Sequence, residues 1–302
     1  MAFCIVCWFV AKALCKSISN VDWQVFVFQP LRICMGFPLV LTAFIISGWG
    51  MQYAYRNIDT IKLSFAQAFL LISLPSLGKY IPGKLFSFAG HSIIAKKFNI
   101  RISVSLFVNL LMMGFGLTSA SLIGLVMLLF TKQSINFSSW IYQGGAVCLI
   151  FIIITIIIYP EIYWKIINRG LGILKQAPLQ TRISSLNMAV LFASMLFQNL
   201  FYLSGVVVMT SGTIELSLYQ IFTLLGVFCI ANVIGFLAIF APAGIGVREG
   251  ILLVMLTPVI GFETTGLITI IMRIVQTLCD CILGVLGVVT LLLLKKTSSL
   301  CV

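Results

Sequence analysis

Carboxylates are scarce in this chain: seven Asp and Glu residues stand against 19 Lys and Arg over 302 positions, and only 9% of the residues are charged. With 61% hydrophobic residues and a mean hydropathy of +1.17, a water-soluble domain of this size would aggregate, so a soluble fold is excluded. Long polar stretches are lacking as well. A soluble enzyme domain needs roughly 100 residues of mixed polarity, and the longest polar-leaning stretch, residues 161–187, is far shorter. There is one histidine, His91, so no metal site is indicated and no cofactor is expected. The nine cysteines are scattered; Cys4 and Cys7 have the spacing of a redox motif but lie in an apolar run, where packing in a membrane core explains them. No strand-borne Gly-Lys-Ser/Thr loop is present, which excludes direct ATP coupling through a P-loop.

What the chain has instead is a succession of apolar runs. About 20 such residues cross a bilayer, and the runs at 2–14, 33–55, 63–77, 102–130, 141–159, 186–209, 218–240, 251–260 and 266–294 are candidate membrane helices. The expectation is an all-α, polytopic helical bundle in a single membrane domain over residues 1–302, with about eight membrane helices. Residues 2–10 resemble a signal-peptide core but lack a preceding basic residue, and are taken as a short first helix. The runs 63–77 and 251–260 are too short to span and adjoin Pro/Gly segments, which predicts re-entrant or broken helices. The net charge of +12 comes from short connectors, as positive-inside topology requires, and not from a dense basic stripe, so nucleic acid is not a partner. Strict alternation of spans places the basic segment 79–101 and the C-terminus in the cytoplasm, and the connector carrying Arg56 and Lys62 outside.

Two Pro/Gly segments carry charge into this apolar chain: Lys79-Tyr80-Ile81-Pro82-Gly83-Lys84, and a second running from Ala241 to Gly250. Pro82 and Gly83 break helix in the first, as do Pro242, Gly244 and Gly246 in the second. Lys79 and Lys84 flank the first break and can hold a phosphate, with His91 on the same helical face as Lys84. An ordinary turn with topogenic lysines accounts for them equally well. In the second segment Arg248 offers a planar fork to a phosphate, and Glu249 suits a helix N-terminus. Further on, Arg273, Gln276 and Asp280 share one helical face. A charge at mid-membrane costs roughly 2.5–3.5 kcal/mol on insertion scales, so this face should turn inward. Arg273 and Asp280 are too far apart along the helix to pair with each other, and Glu249 and Lys84 are candidate partners. The two Pro/Gly segments, each following an apolar run and preceding a basic residue, hint at an internal duplication.

Together these three elements resemble, in order and over essentially the whole chain, the flippase-like membrane domain of the lysylphosphatidylglycerol synthase family. Ala243 departs from the pattern where many relatives have glycine, and His91 where arginine is common. The soluble aminoacyltransferase domain of the full-length synthases is absent from this sequence. The resemblance implies a lipid translocase without catalytic residues, moving a phospholipid or a polyprenyl-phosphate-linked glycolipid across the cytoplasmic membrane of a bacterium or archaeon. Lys79, Tyr80, Lys84, His91, Arg248, Glu249, Arg273, Gln276 and Asp280 would contact the headgroup. Membrane lipid is the expected partner, with a separate glycosyltransferase or aminoacyltransferase if the chain is instead an accessory subunit. A third reading is an integral membrane transferase using Glu249, Asp280 or His91 as base.

Overall fold

A computed structural model of the chain describes residues 29–78, 85–129, 131, 145, 153, 159–173, 183–211, 214, 216–238 and 241–299. Among these, all regular structure is helical. Helix α1 (Pro30–Asp59) opens on a proline, whose missing amide hydrogen costs nothing in a first turn, and stops where Thr60 enters the left-handed region. Helix α2 (Phe65–Leu77) starts from a capping box: Ser64 accepts from the Gln67 amide, and Gln67 accepts from the Ser64 amide. Then come α3 (Leu85–Lys97), α4 (Ile102–Leu129), α5 (Pro160–Ile173) and α6 (Ser185–Ser211). Helix α7 (Leu218–Leu237) has its own capping box from Ser217 and Gln220. A 3-10 turn (Pro242–Gly244) leads into α8 (Val247–Ile260), and α9 (Phe262–Ser299) closes the chain.

Five of these helices, α1, α4, α6, α7 and α9, are long and apolar enough to cross a membrane, and the chain is an integral membrane protein. Helices α3 and α5 fall in segments that the hydropathy reading treats as connectors. The expected runs 2–14 and 141–159 lie outside the described residues or almost so.

The short helices α2 and α3 form a hairpin. Gly90 of α3 lies over Pro75 of α2, and His91 reaches the Leu71 carbonyl. An ion pair between Asp59 and Arg101 then ties the end of α1 to the start of α4. The chain therefore enters and leaves the hairpin at one end of the bundle, which is the re-entrant arrangement expected of residues 63–77. Strict alternation is corrected by the same contact: thirteen residues of α2 do not carry the chain across, so Arg101 sits beside the Arg56–Lys62 connector and not across the membrane from it.

The hinted duplication has a concrete form. Long α1, capped α2, short α3 and long α4 are followed after α5 by long α6, capped α7, short α8 and long α9. The caps repeat in sequence, Leu63-Ser64-Phe65-Ala66-Gln67-Ala68-Phe69 against Leu216-Ser217-Leu218-Tyr219-Gln220-Ile221-Phe222. Packing repeats as well. Gly284 of α9 abuts Leu77 of α2, and Gly124 of α4 abuts Cys229 and Ile230 of α7. Where the halves meet, α1 and α6 run antiparallel: Arg32 donates to the Ser211 carbonyl, Gly36 faces Gly205, Gly50 faces Ser194 and Tyr53 bonds Asn187. Since α1 and α6 are counterparts, the second half is inverted relative to the first. The backbone approaches at Gly36–Gly205 and Gly124–Gly226 follow the small-residue rule for helices packing in lipid.

Candidate functional site

Between the two halves lies a chamber of about 450 Å³, walled by α1, α2, α3, α4, α6, α7 and α9. Its size suits a small ligand. Five carboxamides line it, from Asn109, Gln198, Asn199, Asn232 and Gln276, together with Asp280, Tyr202 and His91. No lysine or arginine is among these lining residues. Some of the amides also brace the walls. Asn199 Nδ2 of α6 donates to the Gly116 carbonyl at 2.9 Å and to Ser119 Oγ at 2.8 Å, both on α4, and Gln276 Nε2 of α9 donates to Asn232 Oδ1 of α7 at 3.5 Å.

The inverted halves explain where the polarity comes from. Counted from the first residue of each helix, Arg273, Gln276 and Asp280 of α9 fall where α4 carries Met113, Gly116 and Ala120. Met113, Gly116 and Ala120 line the chamber, as do Gln276 and Asp280. Equivalent positions thus face the same space from opposite sides, and only α9 brings charge.

The second Pro/Gly segment forms the tip of the α7–α8 hairpin. Its backbone takes three left-handed conformations, at Ala243 (φ 49°), Gly244 (φ 72°) and Gly246 (φ 84°); glycine tolerates these and alanine does not easily. Gly244 packs so closely on Gly235 of α7 that an added Cβ would lie 3.0 Å from the Gly235 carbonyl oxygen. This turn aims the first turn of α8 into the protein. Arg248, 4% exposed, lays its guanidinium over the Phe228 ring at 4.5 Å from the centroid.

Glu249 and Arg273 hold the turn together. Glu249 Oε2 accepts from the Gly246 amide at 2.7 Å, its Oε1 lies 3.4 Å from Arg273 Nη1, and Arg273 also donates to the Ala243 carbonyl at 3.4 Å. Arg273 therefore pairs with Glu249 on another element. It serves the broken helix and does not line the chamber. Glu249→Gln keeps an acceptor for the Gly246 amide and loses the charge facing Arg273, whereas Glu249→Ala loses both. Thermal unfolding of the purified variants is expected to show a cost of about 3 kcal/mol for Gln, which leaves two cations against one acid, and about 1 kcal/mol more for Ala. Equal losses would mean that the capping bond contributes nothing.

His91, 2% exposed, is fully engaged. Because the Leu71 carbonyl can only accept, Nδ1 carries the proton and donates to it at 2.8 Å, and Nε2 accepts from the Tyr55 hydroxyl at 2.9 Å. His91 joins α1, α2 and α3 and shows the chamber an uncharged edge.

Of the residues expected at a headgroup site, Gln276, Asp280 and His91 border the chamber, while Arg248, Glu249 and Arg273 form the adjoining cluster around the turn. Lys79, Tyr80, Pro82, Gly83 and Lys84 lie outside the described residues. Asn109, Gln198, Asn199, Asn232 and Tyr202 are not singled out by the sequence reading; Asn and Gln inside apolar runs, as at Asn109, Gln198 and Asn232, are the available signal. Neither a protein-family model nor a curated protein matches this chain.

Proposed function

We propose that the chain is a translocase for an amphipathic membrane lipid, whose headgroup passes through the central chamber while its tails stay in the bilayer. The observation that carries this reading is the polar chamber set between two inverted halves. Such halves can present one site to either side of a membrane in turn. Carboxamides with Asp280 supply both donors and acceptors, a set suited to the hydroxyl, amine and ester groups of a headgroup. The family resemblance supports the same reading, with a phospholipid or a polyprenyl-linked glycolipid as cargo. We assign the protein to the cytoplasmic membrane of a bacterium or archaeon, with its C-terminus and the Lys295-Lys296 pair on the cytoplasmic side.

Reconstitution into vesicles carrying a fluorescent lipid in one leaflet tests the proposal. The wild-type chain should move the lipid without a partner protein. Asp280→Asn and Gln276→Ala, compared at matched amounts of folded protein, should each slow it at least about tenfold, the effect of losing one hydrogen bond worth roughly 1.5 kcal/mol; Gln276→Ala should unfold close to wild type, whereas Asp280→Asn unbalances the buried charges and should unfold at a lower temperature. Undiminished transport in both variants, or no transport by the wild type with any lipid class tried, would overturn it.

A further inference from the structure

A second cavity lies away from the chamber, where the last turns of α1 meet the linker to α2. It holds about 320 Å³ and is walled by Trp49, Gln52, Tyr53, Arg56, Lys62 and Leu63. Its chemistry is the reverse of the chamber's, with two cations, two aromatic rings and no acid. The one carboxylate between residues 49 and 64, Asp59, is taken by Arg101. The walls are fixed in advance: Trp49 and Tyr53 stack with centroids 5.3 Å apart, the Tyr53 hydroxyl donates to Asn187 Oδ1 at 2.8 Å, and Gln52 Nε2 donates to the Leu63 carbonyl at 2.9 Å.

Two residues beyond Leu63, an apolar groove begins. It holds about 290 Å³ between Phe65, Ala66 and Phe69 of α2 and Thr290, Leu293 and Leu294 of α9. Phe65 is 41% exposed and Leu293 61%, so the groove opens outward to the face that lipid covers. Tryptophan and tyrosine beside Arg and Lys are the side chains that settle at the headgroup level of a bilayer. An arginine fork with a lysine point charge is the pairing that holds a phosphate ester.

We infer that the α1–α2 junction is a binding site for an anionic phospholipid, with the phosphate between Arg56 and Lys62 and one acyl chain in the α2–α9 groove. The two features argue for each other. A free anion has no use for the adjoining groove, and a neutral lipid has no use for an acid-free pair of cations. The site is separate from the chamber and stands whether or not the chain moves lipids.

Delipidated full-length protein, titrated with short-chain phosphatidylglycerol, short-chain phosphatidylcholine and inorganic phosphate and read by native mass spectrometry, tests the assignment. Phosphatidylglycerol should bind in preference to the other two. Each cation beside an anionic lipid contributes about a fivefold preference, so Arg56→Gln with Lys62→Gln should weaken binding about thirtyfold. Both side chains are exposed, so the double variant should fold; if it does not, Lys62→Gln alone should weaken binding about fivefold. Phe69→Ala, in the groove, should weaken phosphatidylglycerol and leave any phosphate binding untouched. Equal retention of phosphatidylcholine, wild-type affinity in the Arg56/Lys62 variants, or phosphate binding as tight as the lipid would each overturn the inference.

Discussion

Gly205→Leu will strip most of the folded protein from detergent extracts, while Gly114→Leu will leave its yield and unfolding temperature near wild type. The contrast comes from what each new side chain meets. A Cβ at Gly205 would lie 2.7 Å from Val40 Cγ2 and 2.9 Å from the Gly36 carbonyl oxygen, whereas at Gly114 nothing lies within 4 Å. Overpacking a core costs about 1–3 kcal/mol when side chains can give way. Here one obstacle is the backbone of the facing helix, so α1 and α6 must separate and the expected cost is at or above the top of that range. Because this seam joins the two halves, its loss removes the chamber between them. Size-exclusion profiles and thermal unfolding of the two leucine variants provide the comparison. Equal behaviour would show that the Gly36–Gly205 approach does not hold the halves together.

The second large effect is expected at Arg248. Four buried or half-buried charges interact there, Arg248 and Arg273 against Glu249 and Asp280, and they balance. Arg248→Ala leaves that cluster with an uncompensated negative charge and takes the cation from the Phe228 face. Breaking a buried pair from one side costs about 3–5 kcal/mol. Arg248→Lys restores the charge but not the planar stacking, so its unfolding temperature should fall between those of Ala and wild type. Arg248→Met keeps bulk without charge. If Met matches wild type, packing and not charge balance explains the residue, and the electrostatic account fails.

Much of this architecture was legible because lipid leaves so few choices. Apolar runs located α1, α4, α6, α7 and α9, since a backbone surrounded by hydrocarbon must bond to itself. The broken helix was legible from Pro242, Gly244 and Gly246, whose backbone properties are local. Alternation of sides was misleading because it needs every apolar run to cross, and hydropathy does not distinguish thirteen residues that turn back from thirteen that begin a span. The second side of the chamber was hidden for another reason. Asp280 and Gln276 announce themselves by polarity, but Gly116 and Ala120 become lining residues only once the inverted half brings α4 opposite α9. The repeat that foretells this, Leu-Ser-two residues-Gln-one residue-Phe at Leu63 and again at Leu216, is short and lies at helix starts, away from the charged segments that draw the eye.

The groove against which α2 packs is completed by α9, as Ser73 and Leu77 meet Gly287 and Gly284. During synthesis, roughly two hundred further residues must be made before those glycines exist, which at ~5–20 residues per second is on the order of ten to forty seconds. Throughout that interval α2 is a helix too short to cross and without its final neighbour. Helix α9 therefore acts as a timer for the α2–α3 hairpin, and a protein truncated before α9 would leave the membrane machinery holding an unfinished fold.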